Sequence, residues 1–112
     1  MKKTVLFAAM AVVRVSVTAQ ADSVSGPDLA AGKKTYDTAC FACHATGAAG
    51  APNITDKAAW KDRIAQGDKT LNDHAIKGFQ GKKGFMPAKG GRADLTDAAV
   101  ADAVAYMVSQ AK

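Results

Sequence analysis

The stretch Cys40-Phe41-Ala42-Cys43-His44 decides how this chain is interpreted. Two thiols three positions apart, followed at once by an imidazole, form the C-x-x-C-H pattern of covalent c-type haem attachment. Each thiol can add to one vinyl group of the porphyrin, and the next residue then reaches the iron. The chain contains 2 cysteines in all, so this pattern uses both. The motif predicts one covalently attached haem c, with Cys40 and Cys43 as attachment sites and His44 as an iron ligand.

Two other kinds of site use similar residues. A thioredoxin-like redox pair needs C-x-x-C at the start of a helix that follows a strand, whereas the residues before Cys40 are typical of a helix. A structural zinc site needs four Cys or His ligands. The chain contains 2 cysteines and 2 histidines, and His44 and His74 lie far apart. Haem attachment is therefore favoured, with thiol redox chemistry and metal binding as alternatives.

The first 21 residues have the organisation of a secretory signal peptide. Lys2 and Lys3 form the positive region, Val5–Val13 the apolar core, and Ala19-Gln20-Ala21 the cleavage site. Arg14 shortens the apolar run, but an uncleaved membrane anchor would need about 20 apolar residues. Cleavage would make Asp22 the first mature residue, and export predicts a periplasmic location because bacterial haem attachment of this kind occurs outside the inner membrane.

Cleavage also changes the charge of the chain. Three of the 15 basic residues and none of the 10 acidic residues lie in residues 1–21, so the net charge falls from +5 to +2. Two haem propionates would bring the charge close to zero. The high isoelectric point is therefore no argument for nucleic-acid or membrane binding.

The mature chain is predicted to be all-α. Residues 22–27 form a flexible leader, and residues 28–112 form one domain of three to four short helices. The mature chain contains 10 glycines and few large apolar side chains, so a haem would have to supply part of its core. The expected helices are residues 28–38, 57–66 and 69–77, and a last one capped by Thr96. No strand is predicted, and residues 78–91 are expected to be irregular.

The amphipathic pattern of the last helix indicates its packing partner. Its apolar stripe has the 3.6-residue period of a helix with one buried face. Gly32 and Tyr36 lie on one face of the first helix, where a small residue beside an aromatic ring suits a closely crossing helix. We therefore expect Gly32 and Tyr36 to meet Ala103 and Tyr106.

The second axial ligand would decide what the haem does, because an open position permits ligand binding and a filled one leaves electron transfer. Met107 lies on the apolar stripe of the last helix and is expected in the core. Met86 lies in a glycine-rich segment just before Pro87, where no periodic pattern explains an apolar residue, and is the predicted ligand. His74 is the alternative imidazole ligand, although bonding to a propionate or fixing a loop is the favoured role.

The chain resembles the class I c-type cytochromes, and in particular the bacterial cytochrome c5 group. The resemblance is carried by the C-x-x-C-H motif, by Trp60 and by a series of short stretches that cover almost the whole mature chain: Gly50-Ala51-Pro52, Arg63, Gly67, His74-Ala75-Ile76-Lys77-Gly78, Met86-Pro87-Ala88-Lys89-Gly90-Gly91 and Tyr106-Met107. It implies a small class I cytochrome c fold, with short helices around one covalent haem and crossed terminal helices. Many c5 relatives carry a further cysteine pair after the methionine, where this chain has Arg92-Ala93-Asp94-Leu95.

The resemblance also implies site residues. Cys40 and Cys43 would be the thioether sites, with His44 and Met86 as axial ligands. The carbonyl of Pro52 would accept the second N–H of the ligand imidazole. Trp60 would lie near the propionates, where its indole N–H can donate, although simple core packing explains this residue equally well.

These residues predict a periplasmic carrier of single electrons between respiratory donors and a terminal acceptor, with no enzymatic activity. An open-iron haem protein, as a ligand binder or peroxidase-type enzyme, and a fixed electron-relay subunit are the alternatives. Redox partners are expected to bind transiently at the exposed haem edge, through a basic patch of five residues: Lys77, Lys82, Lys83, Lys89 and Arg92. The same lysines can instead serve only to keep the segment solvated.

Overall fold

The computed structural model describes residues 11–13 and 26–112. The predicted signal peptide and leader otherwise lie outside the described residues. The helices are α1 (Leu29–Thr35), α2 (Phe41–His44), α3 (Lys57–Ala65), α4 (Asp68–Lys77) and α5 (Asp97–Ala111). Within the described residues, no helix is both long enough and apolar enough to cross a bilayer.

Side-chain caps explain where three of the helices begin. Asp28 accepts from the Ala31 N–H, Asp56 from the Ala59 N–H and Thr96 from the Ala99 N–H, at 3.0–3.1 Å. Each bond satisfies an amide that the first turn of a helix otherwise leaves unpaired. The cap predicted at Thr96 is therefore confirmed.

The helical backbone does not end at Thr38 as expected. A π-helical turn, Tyr36–Cys40, follows α1 and leads directly into α2. Such a turn inserts an extra residue and rotates the chain that follows. Tyr36 is buried, Cys40 is half-buried and Cys43 is exposed. The motif thus continues a helix rather than starting one after a strand.

The expected packing of the terminal helices is confirmed. Gly32 of α1 lies so close to α5 that a Cβ at this position would overlap the carbonyl of Asp102. The backbone N–H of Asp28 donates to the Asp102 carboxylate at 3.0 Å, which fixes the start of α1 on α5. The rings of Tyr36 and Tyr106 lie 5.4 Å apart between centroids.

The core forms on the apolar stripe of α5. The apolar side chains of α5 cluster with side chains of α3, α4 and the π-helical turn. The buried set consists of Tyr36, Trp60, Leu71, Ala75, Val100, Val104, Met107, Val108 and Ala111. Met107 is 4% exposed, as expected of a core residue. The class is all-α around this core.

One expectation for residues 78–91 is wrong. Two short antiparallel strands, β1 (Phe79–Gln80) and β2 (Phe85–Met86), form a hairpin in which Phe79 pairs with Met86. Strands of two residues have too little alternation to be recognised in a glycine-rich sequence. We call residues 79–86 the methionine hairpin. A 3-10 turn, Ala88–Gly91, connects it towards α5.

Candidate functional site

An apolar cavity brings the motif and Met86 together. Cys40, His44 and Met86 all line it. Most of the remaining lining comes from apolar side chains on and just before α5, among them Leu95, Val100, Val104 and Met107. Cys40 and Met86 are 46 positions apart in the sequence but border the same cavity. His74 is not among the residues that line this cavity.

Among the described residues, His44 is the polar residue that is buried, with 8% exposure. Its Nδ1 lies 3.0 Å from the carbonyl oxygen of Pro52. A carbonyl can only accept, so Nδ1 carries the proton and Nε2 keeps a free lone pair. Burial lowers the pKa of His44, the bond to Pro52 opposes this shift, and the charge of Arg63 lowers the pKa further. The neutral imidazole, which is the form that binds a metal, is favoured.

A network of hydrogen bonds holds the segment that carries this imidazole. We call residues 44–55 the histidine loop. The side-chain amide of Asn53 donates to the Ala45 carbonyl at 3.0 Å. The indole N–H of Trp60 donates to the Asn53 carbonyl, also at 3.0 Å. The ring of Trp60 is 5% exposed, and its centroid lies 6.0 Å from that of His44. Trp60 therefore packs beside the imidazole and anchors the loop.

The hydrogen bonds of the histidine loop define the surroundings of Trp60 and Asn53. The proposed contact of Trp60 with a propionate stays a prediction, and in this structure its N–H is engaged by Asn53. Sequence reasoning missed Asn53, which bonds both Ala45 and Trp60. The available signal was a polar residue directly after Pro52 in an otherwise apolar and glycine-rich loop.

The two cysteines differ in environment and are both free of disulfide bonding. Burial, with a smaller contribution from Cys43, raises the pKa of the Cys40 thiol to about 11. A thiol that exchanges disulfides works as a thiolate and needs a lowered pKa. The environment of Cys40 is the reverse, which disfavours the thioredoxin-like alternative.

Met86 ends β2 and is half-buried against the core. Its hairpin docks on the histidine loop at the tip. A Cβ on Gly84 would overlap the Ala49 carbonyl, and a Cβ on Gly50 would overlap the Lys83 carbonyl. Backbone therefore touches backbone between the loop that follows the motif and the hairpin that carries the methionine.

The donor set and its surroundings fit a haem c. A neutral imidazole and a thioether line one cavity whose other walls are mainly apolar, and Cys40 of the attachment motif lines the same space. Imidazole and thioether are the axial pair of many cytochromes, and apolar walls suit a porphyrin.

The surface near Met86 carries fewer free charges than the sequence indicated. Lys89 Nζ lies 3.0 Å from the Asp97 carboxylate, and Arg92 lies 2.9 Å from that of Asp94. Carboxylates therefore compensate two of the five cations of the predicted patch, which leaves Lys77, Lys82 and Lys83. Lys82 and Lys83 are exposed beside the aromatic rings of the hairpin.

The chain matches a family model described as "Cytochrome C oxidase, cbb3-type, subunit III" over residues 27–107. A cytochrome c-555 from Chlorobaculum tepidum is 64% identical over 85 residues, which cover 76% of this chain and 79% of the relative. A cytochrome c5 from Ectopseudomonas mendocina is 41% identical over 68 residues, which cover 61% of this chain and 76% of the relative. The resemblance to the c5 group is thus confirmed at the level of the class, and identity is higher to the c-555 protein.

The fold is similar to that of a chain in a crystal structure of an electron transfer complex of nitrite reductase with cytochrome c. The TM-score is 0.65 with 43% sequence identity, and the match covers 73% of this chain and 95% of that chain. The family match, the relatives and the fold agree with the cavity that His44 and Met86 share. The chain belongs to the class I monohaem c-type cytochromes, whose members are small electron carriers with one covalently attached haem c.

Proposed function

We propose that this cytochrome is a periplasmic single-electron shuttle, that His44 and Met86 are its two axial ligands, and that it has no enzymatic activity. Cys40 and Cys43 would hold the haem through thioethers. The observation that carries the proposal is the shared apolar cavity of His44, Met86 and Cys40. Bound haem c supplies a one-electron Fe(III)/Fe(II) couple, with a potential that a thioether ligand raises.

The chain's own residues would keep the coordination unchanged during electron transfer. The Pro52 carbonyl fixes the tautomer and the ring plane of His44. The hairpin presents the Met86 thioether from a strand whose partner, Phe79, is fixed by the ladder. With both axial positions filled, no site remains for a substrate or a small ligand, and the ligands need not move when the charge changes.

An optical spectrum with and without carbon monoxide tests the ligand set. We expect the reduced holoprotein to show a sharp c-type α-band and no response to carbon monoxide, and the ferric form to show a weak far-red band. Met86→Ala should lose the far-red band and bind carbon monoxide, whereas Met107→Leu should behave as the parent protein. Carbon monoxide binding by the unmodified protein would contradict the proposal and favour an open-iron haem protein.

The partner surface is proposed to combine three cations with two aromatic rings. Lys77, Lys82 and Lys83 are exposed near Phe79 and Phe85, which are 44% and 58% exposed. A basic rim around apolar rings suits a weak complex with an acidic face of a redox enzyme, since charge steers the encounter and apolar contact completes it. The similar chain from a complex with nitrite reductase supports this kind of partner.

Ionic strength provides the test of this surface. Reversing two charges with Lys82→Glu and Lys83→Glu should slow electron transfer to an acidic redox protein by about tenfold at low salt. Salt should reduce the difference, because screening removes long-range steering. The same charge change on α3, Lys57→Glu with Lys61→Glu, is the matched control. Equal slowing by both pairs would show that net charge, and not this surface, governs the encounter.

The periplasmic location and the domain limits follow from residues 1–21. We expect the mature protein to begin at Asp22. Residues 22–27 would then precede the haem domain, which would consist of residues 28–112. Mass spectrometry of the purified holoprotein would measure both the N-terminus and the added haem. A product that retains residues 1–21 would contradict cleavage.

A further inference from the structure

His74 of α4 stacks on Phe79 of the methionine hairpin. The ring centroids lie 4.0 Å apart, and the planes are inclined by 18°. Phe79 is 44% exposed, and it is not one of the described residues that pack against the core. His74 is half-buried and does not line the cavity. Its position is therefore that of a residue that contacts the hairpin, not the cofactor space.

The helix that carries His74 is a fixed support. Leu71 and Ala75, which flank it on α4, are buried in the core. α4 also packs on α5 and on the 3-10 turn Ala88–Gly91 that follows the hairpin. A ring held on such a helix can restrain a ring stacked on it.

Phe79 passes that restraint to Met86. The two residues are partners in the β1–β2 ladder. A ladder with two residues in each strand is too short to be stable alone. It needs contacts at its tip, which Gly84 makes with Ala49, and along its side, where the ring of His74 stacks on Phe79.

We propose that His74 is a positioning residue, which holds the Met86 strand at the cavity by stacking on Phe79. This inference rests on the proposed ligand role of Met86. It assigns to His74 neither iron ligation nor bonding to a propionate.

Two substitutions separate stacking from the other roles of an imidazole. His74→Ala removes the ring, and His74→Phe keeps a planar ring but no nitrogen. In the ferric holoprotein, we expect His74→Ala to lose the far-red band at a lower temperature than the parent protein, with a smaller change in the loss of helix by circular dichroism. His74→Phe should restore the midpoint of the band.

Amide hydrogen exchange measures the hairpin directly, without relying on the spectrum. The Gly81 N–H, which donates to the Gly84 carbonyl at 2.9 Å, reports on the tip. With His74→Ala its exchange should become roughly two- to tenfold faster, which is the range expected for loss of one aromatic pair. Exchange of the buried Val104 amide in α5 should stay the same, and His74→Phe should restore protection.

The outcomes distinguish this inference from the proposal beneath it. A parent protein that shows no far-red band would overturn the ligand role of Met86 and the inference with it. A far-red band that His74→Ala leaves unchanged, with unchanged exchange at Gly81, would overturn the inference alone. Loss of the band in both variants would show that the imidazole nitrogens matter, and would favour bonding over stacking.

Discussion

The histidine loop and the methionine hairpin border the same cavity but are held by different kinds of contact. In the loop, side chains bond backbone carbonyls: His44 to Pro52, Asn53 to Ala45 and Trp60 to Asn53, each at 3.0 Å. In the hairpin, glycine backbone lies against the loop and one ring stacks on another.

The histidine loop and the methionine hairpin should therefore respond differently to substitutions. A hydrogen bond is lost when its donor or acceptor is removed, and neighbouring bonds can still hold the loop. A backbone-to-backbone contact at glycine is lost when a methyl group is added, because no side chain can move aside. We therefore expect the histidine loop to keep its structure when one hydrogen-bonding group is removed. We expect the methionine hairpin to be disrupted when one methyl group is added to a glycine at its tip.

Removing the covalent attachment should have the largest effect, because it affects both regions at once. The double variant Cys40→Ala, Cys43→Ala leaves no thioether to retain the haem, and the cavity then loses the group that joins its walls. We expect most of the helical circular dichroism signal to disappear, as the chain buries few large apolar side chains of its own. Ala42→Ser, at an exposed position inside the motif, is the control. Native helix content in the haem-free double variant would contradict the expectation.

A methyl group at the hairpin tip should have the next largest effect. Gly84→Ala would drive a Cβ into the Ala49 carbonyl, whereas a Cβ on Gly81 would lie 3.1 Å from a movable Phe79 ring carbon. We expect Gly84→Ala to destabilise the closed hairpin by about 1–3 kcal/mol, the usual range for overpacking, and Gly81→Ala by less. The midpoint for thermal loss of the far-red band would measure both. Equal midpoints for Gly84→Ala and Gly81→Ala would show that the contact between Gly84 and Ala49 does not hold Met86.

Trp60→Phe removes one hydrogen bond from the histidine loop and keeps an aromatic ring in the core. The Asn53 carbonyl would lose its indole donor, at a cost of about 1 kcal/mol. For a domain of this size, the unfolding midpoint should fall by about 4–8 °C, with the ferric far-red band retained below it. A shift of the reduction potential without a change in the midpoint would instead indicate that the indole donates to a propionate.

The histidine loop was also the more predictable of the two regions. The motif is local, and the Asp56 cap after it marks where the loop ends, so the sequence carries most of the signal. The resemblance implied that the Pro52 carbonyl would accept from the His44 imidazole, but a polar residue after Pro52 did not by itself indicate that Asn53 would connect Ala45 to Trp60. Such a bond depends on how the loop curves, which spacing alone does not encode.

The structure of the methionine hairpin was harder to predict, because it depends on contacts between residues that are distant in the sequence. The spacing of glycines in residues 78–91 indicated irregular backbone, and the pairing of Phe79 with Met86 could not be inferred from two-residue strands. The stack of His74 on Phe79 likewise needs the turn at Gly78, with φ of +86°, to bring the chain back along α4. Met86 was nevertheless singled out as the predicted ligand, because an apolar residue without a periodic reason for burial stands out in this segment.

The smallest expected effect concerns the ion pair just beyond the hairpin. The Arg92 guanidinium donates twice to the Asp94 carboxylate, at 2.9 Å, and this bond lowers the pKa of Asp94. The pair's contribution is therefore present above the ordinary carboxyl pKa and is lost as pH falls through the lowered value. Both side chains are well exposed, so Asp94→Asn should hardly change the unfolding midpoint. It should release a cation beside the hairpin, and thereby modestly speed electron transfer to an acidic partner at low salt. Asp37→Asn, which releases Lys33 on α1, is the matched control. An equal gain from both variants would mean that the hairpin surface has no special part in the encounter, and the two regions would then differ in rigidity but not in recognition.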